Sequence, residues 1–477
     1  MPKQTPFAFG ESHGRSFICP IRCGTKPTRK SRVVRRDIML KTVKFGGSSL
    51  ADAEHFRKAA AIVKADPCRR YAVASAPGKR HADDEKVTDM LIALSQTEKT
   101  GEDPNALLRA ISERFAAIIK GLGLDMTLDA DLGEIGKRVA EKTATRDYLA
   151  SRGEYLNAKV MAAYLGYDFI DAAECIFFDD KGFFDAEKTN VALAKKLTAH
   201  ERAVLPGFYG SLPHGEIKTF SRGGSDVTGS ILARASRSDV YENWTDVSGM
   251  LMADPRCVKD PCKIETITYR ELRELSYMGA SVLHEDAIFP VRIAGIPINI
   301  RNTNAPEEEG TWIKAFTNEK PLHVITGIAG KKGLTAIYIE KEMMNNQIGF
   351  GKVVLEILAE HGIGFEHLPS GIDTMSVIVN TADFEGEKRE VVLKALRDRL
   401  RPDTLKVHDE IALVAVVGRG MVNAAGTAVR VFSALAKQHI NVRMIDQGSS
   451  ELNIIVGVDA DNLYPAIRAI YSEFVRG

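Results

Sequence analysis

An ungapped internal repeat constrains the second half of this chain more than any other feature. Shifting residues 355–380 by 77 positions lays Leu358 on Leu435, Ala359 on Ala436, Ile363 on Ile440, Gly371 on Gly448, Ile378 on Ile455 and Val379 on Val456. Each copy reads as an apolar helix, a short strand, a glycine turn and a β-branched strand, so the pattern predicts duplication of a small α+β unit.

The first half has a different rhythm. Thr42-Val43-Lys44-Phe45 has the β-branched and aromatic content of a strand, Gly46-Gly47-Ser48-Ser49 breaks it, and a helix signal runs from Asp52 to about Lys64. Tyr71–Ser75 predicts a second strand, a helix pattern begins near Val87, and strand signals return at 166–170 and 202–207. Alternating strands and helices imply an α/β fold, an open parallel-rich sheet sandwiched by helices, followed by the repeated α+β units. Ligands of such sheets sit at the carboxyl ends of the strands. At 477 residues, about three domains are expected.

Composition removes several function classes. No apolar run approaches the length of a membrane span, and no signal-peptide core is present, so a cytoplasmic protein is expected. The six cysteines, at 19, 23, 68, 175, 257 and 262, are too scattered for a disulfide framework or a zinc site, and no resident metal site is expected. The net charge of +1 is an average: residues 1–38 hold nine Lys or Arg against Glu11 and Asp37, a surplus of +7 that leaves the remainder at −6. A mildly acidic body gives no footprint for nucleic acid. Residues 1–38 are read as a basic, non-packing leader or a start assigned too early, with Met39 as the alternative first residue.

Three clusters carry chemistry. Glycines after a strand let the backbone approach a phosphate, and a Lys at the strand end can bridge phosphoryl oxygens, although two glycines alone are as often an ordinary βα turn. Arg222-Gly223-Gly224-Ser225-Asp226 precedes an apolar helix pattern, where Ser225 or Asp226 has the simpler reading of a helix cap. Trp244-Thr245-Asp246-Val247 and Asp254-Pro255-Arg256 follow a strand-like stretch, with an Asx turn as the plain alternative for the second.

KFGGSS, SRGE, SRGGSD and WTDV, in that order from about residue 40, resemble the aspartate kinases of the amino-acid kinase family. The resemblance implies transfer of the γ-phosphoryl group of ATP, with Mg²⁺, to the side-chain carboxylate of L-aspartate, giving 4-phospho-L-aspartate at the head of lysine, threonine and methionine biosynthesis. By the same resemblance Lys44 is the phosphate-bridging catalytic lysine and Asp226 the aspartate that organises it. Phe45, Gly46, Gly47 and Ser48 join Lys44 in holding the nucleotide, together with Thr245, Asp246 and Arg256. Ser75, Thr88, Glu154, Arg222 and Ser225 match aspartate-binding positions, with Arg222 for a carboxylate and Glu154 for the ammonium. Glu154 beside Arg152 has the alternative reading of a surface helix pair. An aspartate carboxylate is already ionised near neutral pH, so positioning and charge neutralisation are the tasks, and a catalytic His is not required.

Two positions depart from the family pattern: Ser281, where many relatives carry Lys, and Leu251, where some carry Tyr. The repeat resembles paired ACT domains, which bind amino acids between their sheets, and in which one copy is typically inserted within the other. The strand-like Leu322–Ile328 is therefore assigned to the C-terminal copy. Candidate effector contacts are Gly364, Phe365, Glu366 and Ser370 in the first copy, with Asn441, Met444 and Ile445 in the second; packing of a dimer is the alternative for all seven. After the leader at 1–38, the resemblance implies a catalytic domain at 39–315 and ACT domains at 316–400 and 401–477, with a strand shared between the two ACT domains. It also implies a homodimer or a tetramer, and inhibition by lysine, threonine or both. Kinases of the same fold acting on glutamate, N-acetylglutamate or carbamate rank lower, as do a fusion to homoserine dehydrogenase and an inactive amino-acid sensor.

Overall fold

The structure, a computed structural model, describes residues 39–101, 103–221, 223–280, 283 and 287–476. The basic leader, Arg222 and Ser281 lie outside the described residues. The first half places β1 (Lys41–Phe45), β2 (Arg69–Ala74), β3 (Asp168–Phe169) and β4 (Ala203–Pro206) in one sheet. After the small hairpin of β5 (Tyr209–Ser211) and β6 (Ile217–Thr219), the same sheet continues with β7 (Val240–Thr245), β8 (Thr266–Thr268), β9 (Ile298–Asn302) and β10 (Thr311–Lys314). The spatial order is β3-β4-β2-β1-β7-β9-β10-β8. Neighbours run parallel except β9 with β10.

Strand parity decides which side chains reach which face. Successive residues of a strand point to opposite sides. Val43 and Phe45 of β1, Ala72 and Ala74 of β2 and Trp244 of β7 enter the core beneath the helices Ala53–Ala65 and Arg146–Leu165. Tyr71, Val73 and Tyr241 face the opposite core, where the helix Gly224–Ser236 packs. Lys44 and Asn243, being register partners of the β1–β7 pair, share that second face and point at the helix's first turn. The helices begin where chemistry asks: Asp52 caps Ala53–Ala65 through the backbone N–H groups of Glu54 and His55.

The second half forms a six-stranded antiparallel sheet from β11 (Gly327–Glu340), β12 (Phe365–His367), β13 (Thr374–Asn380), β14 (Thr404–Val417), β15 (Met444–Asp446) and β16 (Asn453–Asp459). Its order is β12-β13-β11-β14-β16-β15. The early part of β11 pairs with the late part of β14 and its late part with the early part of β14; β13 flanks Leu334–Glu340 while β16 flanks Ile411–Val417. Each long strand thus serves both copies of the repeat. The helices Phe350–Glu360 and Thr427–Lys437 stand 77 residues apart, whereas β13 and β16 begin at 374 and 453, 79 apart. The ungapped alignment holds for the helices and slips by two residues before the last strand.

The strand expected at Leu322–Ile328 begins only at Gly327. Thr326 still donates to the carbonyl of Val417, but beyond it the partner chain turns away at Gly418 and Gly420. A Cβ on Gly418 would lie 2.7 Å from the Ile325 Cα, and one on Gly420 2.6 Å from the Val324 carbonyl. The two backbones cross here rather than pair.

Glu271 joins the halves. It lies in the helix Tyr269–Tyr277, fully buried, and its carboxylate accepts from Thr326 Oγ1 at 2.5 Å, Thr268 Oγ1 at 2.7 Å and the Arg419 backbone N–H at 2.8 Å. Burial alone would raise its pKa, but these donors outweigh it and hold the carboxyl below its ordinary value. The Arg419 guanidinium also lies 3.2 Å from the Glu271 carboxylate, so Glu271→Ala, which leaves that cation without its ionic partner, is expected to cost about 3–5 kcal/mol. Thermal denaturation measures this, and an unchanged melting temperature would show that the junction carries no weight. The stability that Glu271 contributes is present above its unfolded pKa and is lost as the pH falls through its lower folded value.

Candidate active site

The carboxyl ends of β1, β2, β4 and β7 meet at one open cleft of about 700 Å³. The ladder extends into the loops: Gly46 N–H donates to the Trp244 carbonyl, Ser75 N–H to Phe45, and Gly207 N–H to Ala74. Of the residues singled out in the sequence, Lys44, Gly46, Gly47, Ser48, Ser75, Thr88, Glu154, Ser225, Asp226 and Asp246 line this cleft.

Lys44 is nearly buried, and its Nζ lies 2.5 Å from Asp226 Oδ1. The same oxygen accepts from Asn243 Nδ2 at 3.0 Å. The capping alternative for Ser225 and Asp226 fails: Gly223, at φ 56°, is the N-cap of the helix, and no side chain caps it. Asp226 instead uses its carboxylate on Lys44. An ammonium at a strand end, fixed by a carboxylate on a helix's first turn, is a cation held in one place beside loop N–H groups.

Close backbone contact explains the glycines. A Cβ on Gly78 would stand 2.6 Å from the Gly47 carbonyl carbon and 2.8 Å from Ser48 N, so the loops after β1 and β2 abut with no side chain between them. Gly78 N–H donates to the Gly47 carbonyl at 2.9 Å. Gly207 is equally constrained, since its Cβ would lie 2.5 Å from Ser225 Oγ. Arg114 pins the β2 loop from behind, reaching the Gly78 carbonyl at 2.5 Å, the Ala51 carbonyl at 3.3 Å and Asp84 at 2.8 Å. Arg80 and Arg114 together hold Asp84 far below the usual carboxylate range. Lys79, Arg80, His81 and Lys86 bring further basic groups to the rim.

Glu154 is buried, as is Arg152, so the reading of an exposed helix pair does not hold. Arg152 sits among the rings of Tyr148, Tyr155 and Tyr209 at 4.4–5.3 Å and donates to Ser151. Burial pushes Glu154 up to about 8, against weaker opposing hydrogen bonds from the backbone of Ala76 and of Glu154 itself. Its Oε2 has no hydrogen-bond partner among the described residues. An orphaned carboxylate oxygen at a cleft suits a cationic ligand group.

The nucleotide-side residues divide. Phe45, expected at the nucleotide, is fully buried and stacks on Trp244 with centroids 6.3 Å apart, so its side chain is core and only its backbone touches the loop. Thr245 ends β7 and donates to Asp246 at 3.2 Å. Arg256 lies away from the cleft, its guanidinium held by Asp254 at 2.6 Å, and it lines a second cavity of about 560 Å³ with Leu251. The Asx-turn alternative for Asp254 is realised, because Asp254 Oδ1 accepts from Arg256 N–H at 2.8 Å.

Sequence reasoning missed Asn243, Arg114 and Phe208. Phe208 lines the cleft at φ 79°, a conformation a bulky residue rarely adopts, and its N–H donates to Thr228 Oγ1 at 3.1 Å. The register of β1 against β7 pairs Lys44 with Asn243, the one signal that could have found the latter.

The effector candidates fall on or beside the edge strands β12 and β15. Phe365 and Ile445 are about half-exposed, Gly364, Ser370 and Asn441 exposed, and Met444 packs against Gly457. Glu366 takes Lys331 Nζ at 2.6 Å on one oxygen, while the other is buried without a partner among the described residues. Although β12 and β15 end the strand order, His367 Nδ1 stands 2.8 Å from Asp446 Oδ2. The two edges touch there, which brings the two sets of candidates together.

Comparison with known proteins agrees with this geometry. Residues 39–302 match the amino acid kinase family and residues 414–474 an ACT domain. The chain is 40% identical to aspartokinase 3 of Bacillus subtilis over 453 residues, covering 92% of this chain and 99% of that one. The crystal structure of Clostridium acetobutylicum aspartate kinase matches at 48% identity and a TM-score of 0.82, over 91% of this chain and all of that one. Aspartokinase III of Escherichia coli matches at a TM-score of 0.71 and 26% identity in its complex with aspartate and ADP, over 91% and 99% of the two chains. Its complex with lysine and aspartate gives 0.67 and 25% over the same shares. The extent of these matches, together with the Lys44–Asp226 cleft, identifies the chain as a member of the amino-acid kinase family, an aspartate kinase with a C-terminal ACT region.

Proposed function

We propose that the Lys44 cleft is where the γ-phosphoryl group of ATP passes to the side-chain carboxylate of L-aspartate. The observation that carries this reading is the near-buried Lys44–Asp226 pair beneath two interlocked glycine loops, opposite the orphaned Glu154 oxygen. Two anions must meet here. Lys44 neutralises charge on the phosphoryl oxygens, and the N–H groups of Gly47 and Ser48 add fixed dipoles, that of Gly46 being taken by the Trp244 carbonyl. Glu154 receives the substrate ammonium, Arg222 its α-carboxylate, and Ser75, Thr88 and Ser225 complete the orientation. Thr245, Asp246 and Arg256 follow the nucleotide away from the phosphates. Asp246, at the cleft, would be the acidic residue to hold a Mg²⁺ carried in with the phosphates, and the ion would supply shielding of phosphate charge. Trapping with hydroxylamine tests the reaction: hydroxamate is expected only with ATP and aspartate together, and its absence would end this reading.

The complex of the E. coli relative with lysine supports lysine as effector, with threonine second. The site would lie where β12 and β15 meet, at Gly364, Phe365, Glu366, Ser370, Asn441, Met444 and Ile445. The exposed apolar side chains of Phe365 and Ile445, on β12 and β15, suit a homodimer, or a tetramer built from it, in a cytoplasmic enzyme. Among the described residues no helix is long and apolar enough to cross a membrane. Lysine is expected to slow the reaction and to raise the melting temperature, by about 2.7 kcal/mol of stability at a hundredfold excess over Kd. If neither lysine nor threonine moved rate or melting temperature, the repeat would be a packing device only.

A further inference from the structure

The 560 Å³ cavity beside Arg256 is not walled by the catalytic half alone. Leu251, Arg256 and Ala280 come from that half; Lys332 of β11, with Tyr464 and Ile467 of the helix Leu463–Tyr471, comes from the regulatory half. The helix lies flush on the strand, because a Cβ on Gly330 would stand 2.5 Å from Leu463 Cδ1 and 3.1 Å from Ile467 Cδ1. Tyr464 is 39% exposed and is the sole aromatic side chain among the described lining residues. Lys332 Nζ sits 4.8 Å from its ring centroid. One loop borders both spaces: Asp246 lines the phosphate cleft and Val247, the next residue, lines this cavity.

We propose that the regulatory half supplies one wall of the pocket for the nucleotide base, with Tyr464 as the platform for the purine and Lys332 as a donor to its edge. This rests on reading Thr245, Asp246 and Arg256 as the nucleotide side of the active site. A purine presents two π-faces and a polar rim, and it gains from an aromatic surface and a nearby N–H donor. The catalytic half offers the cavity aliphatic side chains and a guanidinium already engaged by Asp254. The aromatic surface and the adjustable ammonium both come from the other half. The regulatory half then touches the nucleotide directly, and a shift of the helix Leu463–Tyr471 changes ATP affinity without a relay through the catalytic sheet.

Calorimetry with ADP and with inorganic tripolyphosphate, alongside steady-state kinetics on the full chain, tests this. Tyr464→Ala is expected to raise both the KM for ATP and the Kd for ADP about tenfold, leaving tripolyphosphate binding and the KM for aspartate in place. Tyr464→Phe keeps wild-type affinity, and Lys332→Ala, at an exposed position, weakens ADP less than Tyr464→Ala does. If Arg256→Ala weakened ADP binding and Tyr464→Ala did not, the wall would be refuted while the nucleotide reading stood. If neither variant affected ADP, the nucleotide reading would fail and the wall with it. Equal losses of ADP and tripolyphosphate affinity in Tyr464→Ala would also refute the wall, since contact with the base would then not be what was lost.

Discussion

Lys44→Ala is expected to slow phosphoryl transfer by about a thousandfold or more, with a far smaller change in the KM for aspartate. The reasoning is geometric. The ammonium stands at a strand end, held 2.5 Å from Asp226, beside the loop whose Gly46 would place a Cβ only 3.6 Å from Lys44 Nζ. A group fixed in this way needs no reorganisation when charge develops on the phosphoryl oxygens. Lys44→Arg is not a conservative rescue, because the guanidinium fork is wider than an ammonium and the site is nearly closed around it. Asp226→Asn keeps the shape but removes the charge that fixes Lys44, and a loss of about a hundredfold is expected. The double variant settles whether the two act as a unit: its loss is expected to match that of Lys44→Ala alone rather than the product of the two. Additive losses would mean that Asp226 works independently of the lysine.

Glu154→Gln is expected to raise the KM for aspartate about 10- to 100-fold, the worth of a buried hydrogen bond to a charged group. The pH dependence separates this from a general defect. Burial holds the Glu154 carboxyl at about 8, so near neutrality the free enzyme keeps a proton there that the substrate ammonium must displace. In wild type, kcat/KM for aspartate is expected to fall by about tenfold per pH unit on the acid side of that value, and in Glu154→Gln this limb disappears. Stability moves the other way. A carboxyl whose folded pKa exceeds its unfolded one contributes stability that is present below about 4.5 and lost as the pH rises through about 8. Glu154→Gln is therefore expected to melt higher than wild type at pH 9 and to differ little at pH 5. Parallel pH profiles for the two proteins would remove Glu154 from the substrate site.

Local patterns were readable. The strand, glycine loop and capped helix at 41–65 follow from residues adjacent in the chain, and so do β2, β4 and β7, where β-branched and aromatic runs end at glycine or polar loops. The strand signal at 166–170 and the short strand of each repeat copy correspond to β3, β12 and β15, but strands of two or three residues show no period that could fix their bounds. Lys44 and Asp226 were joined by resemblance to a family; no spacing in the chain predicts that they touch. Parity on β1 and β7, together with the parallel register that sets Lys44 beside Asn243, supplies the physical reason, and it needs the strand order to be known. Arg114 and Tyr464 look like ordinary members of amphipathic helices, and their neighbours come from chain segments far away. Leu322–Ile328 misled because its apolar alternation is real, while pairing depends on a partner that two glycines carry off at Val417.

The long strands β11 and β14 have a practical meaning for anyone dividing the gene. Each gives half its length to one copy of the repeat and half to the other, so the regulatory half cannot be trimmed to a single copy at the sequence boundary near residue 401. A truncation there would strip β11 of every rung it shares with Thr404–Val417 and leave up to 14 residues of strand open to any passing chain. Swapping regulatory behaviour between relatives calls for exchanging the whole block that begins with β11, in one piece.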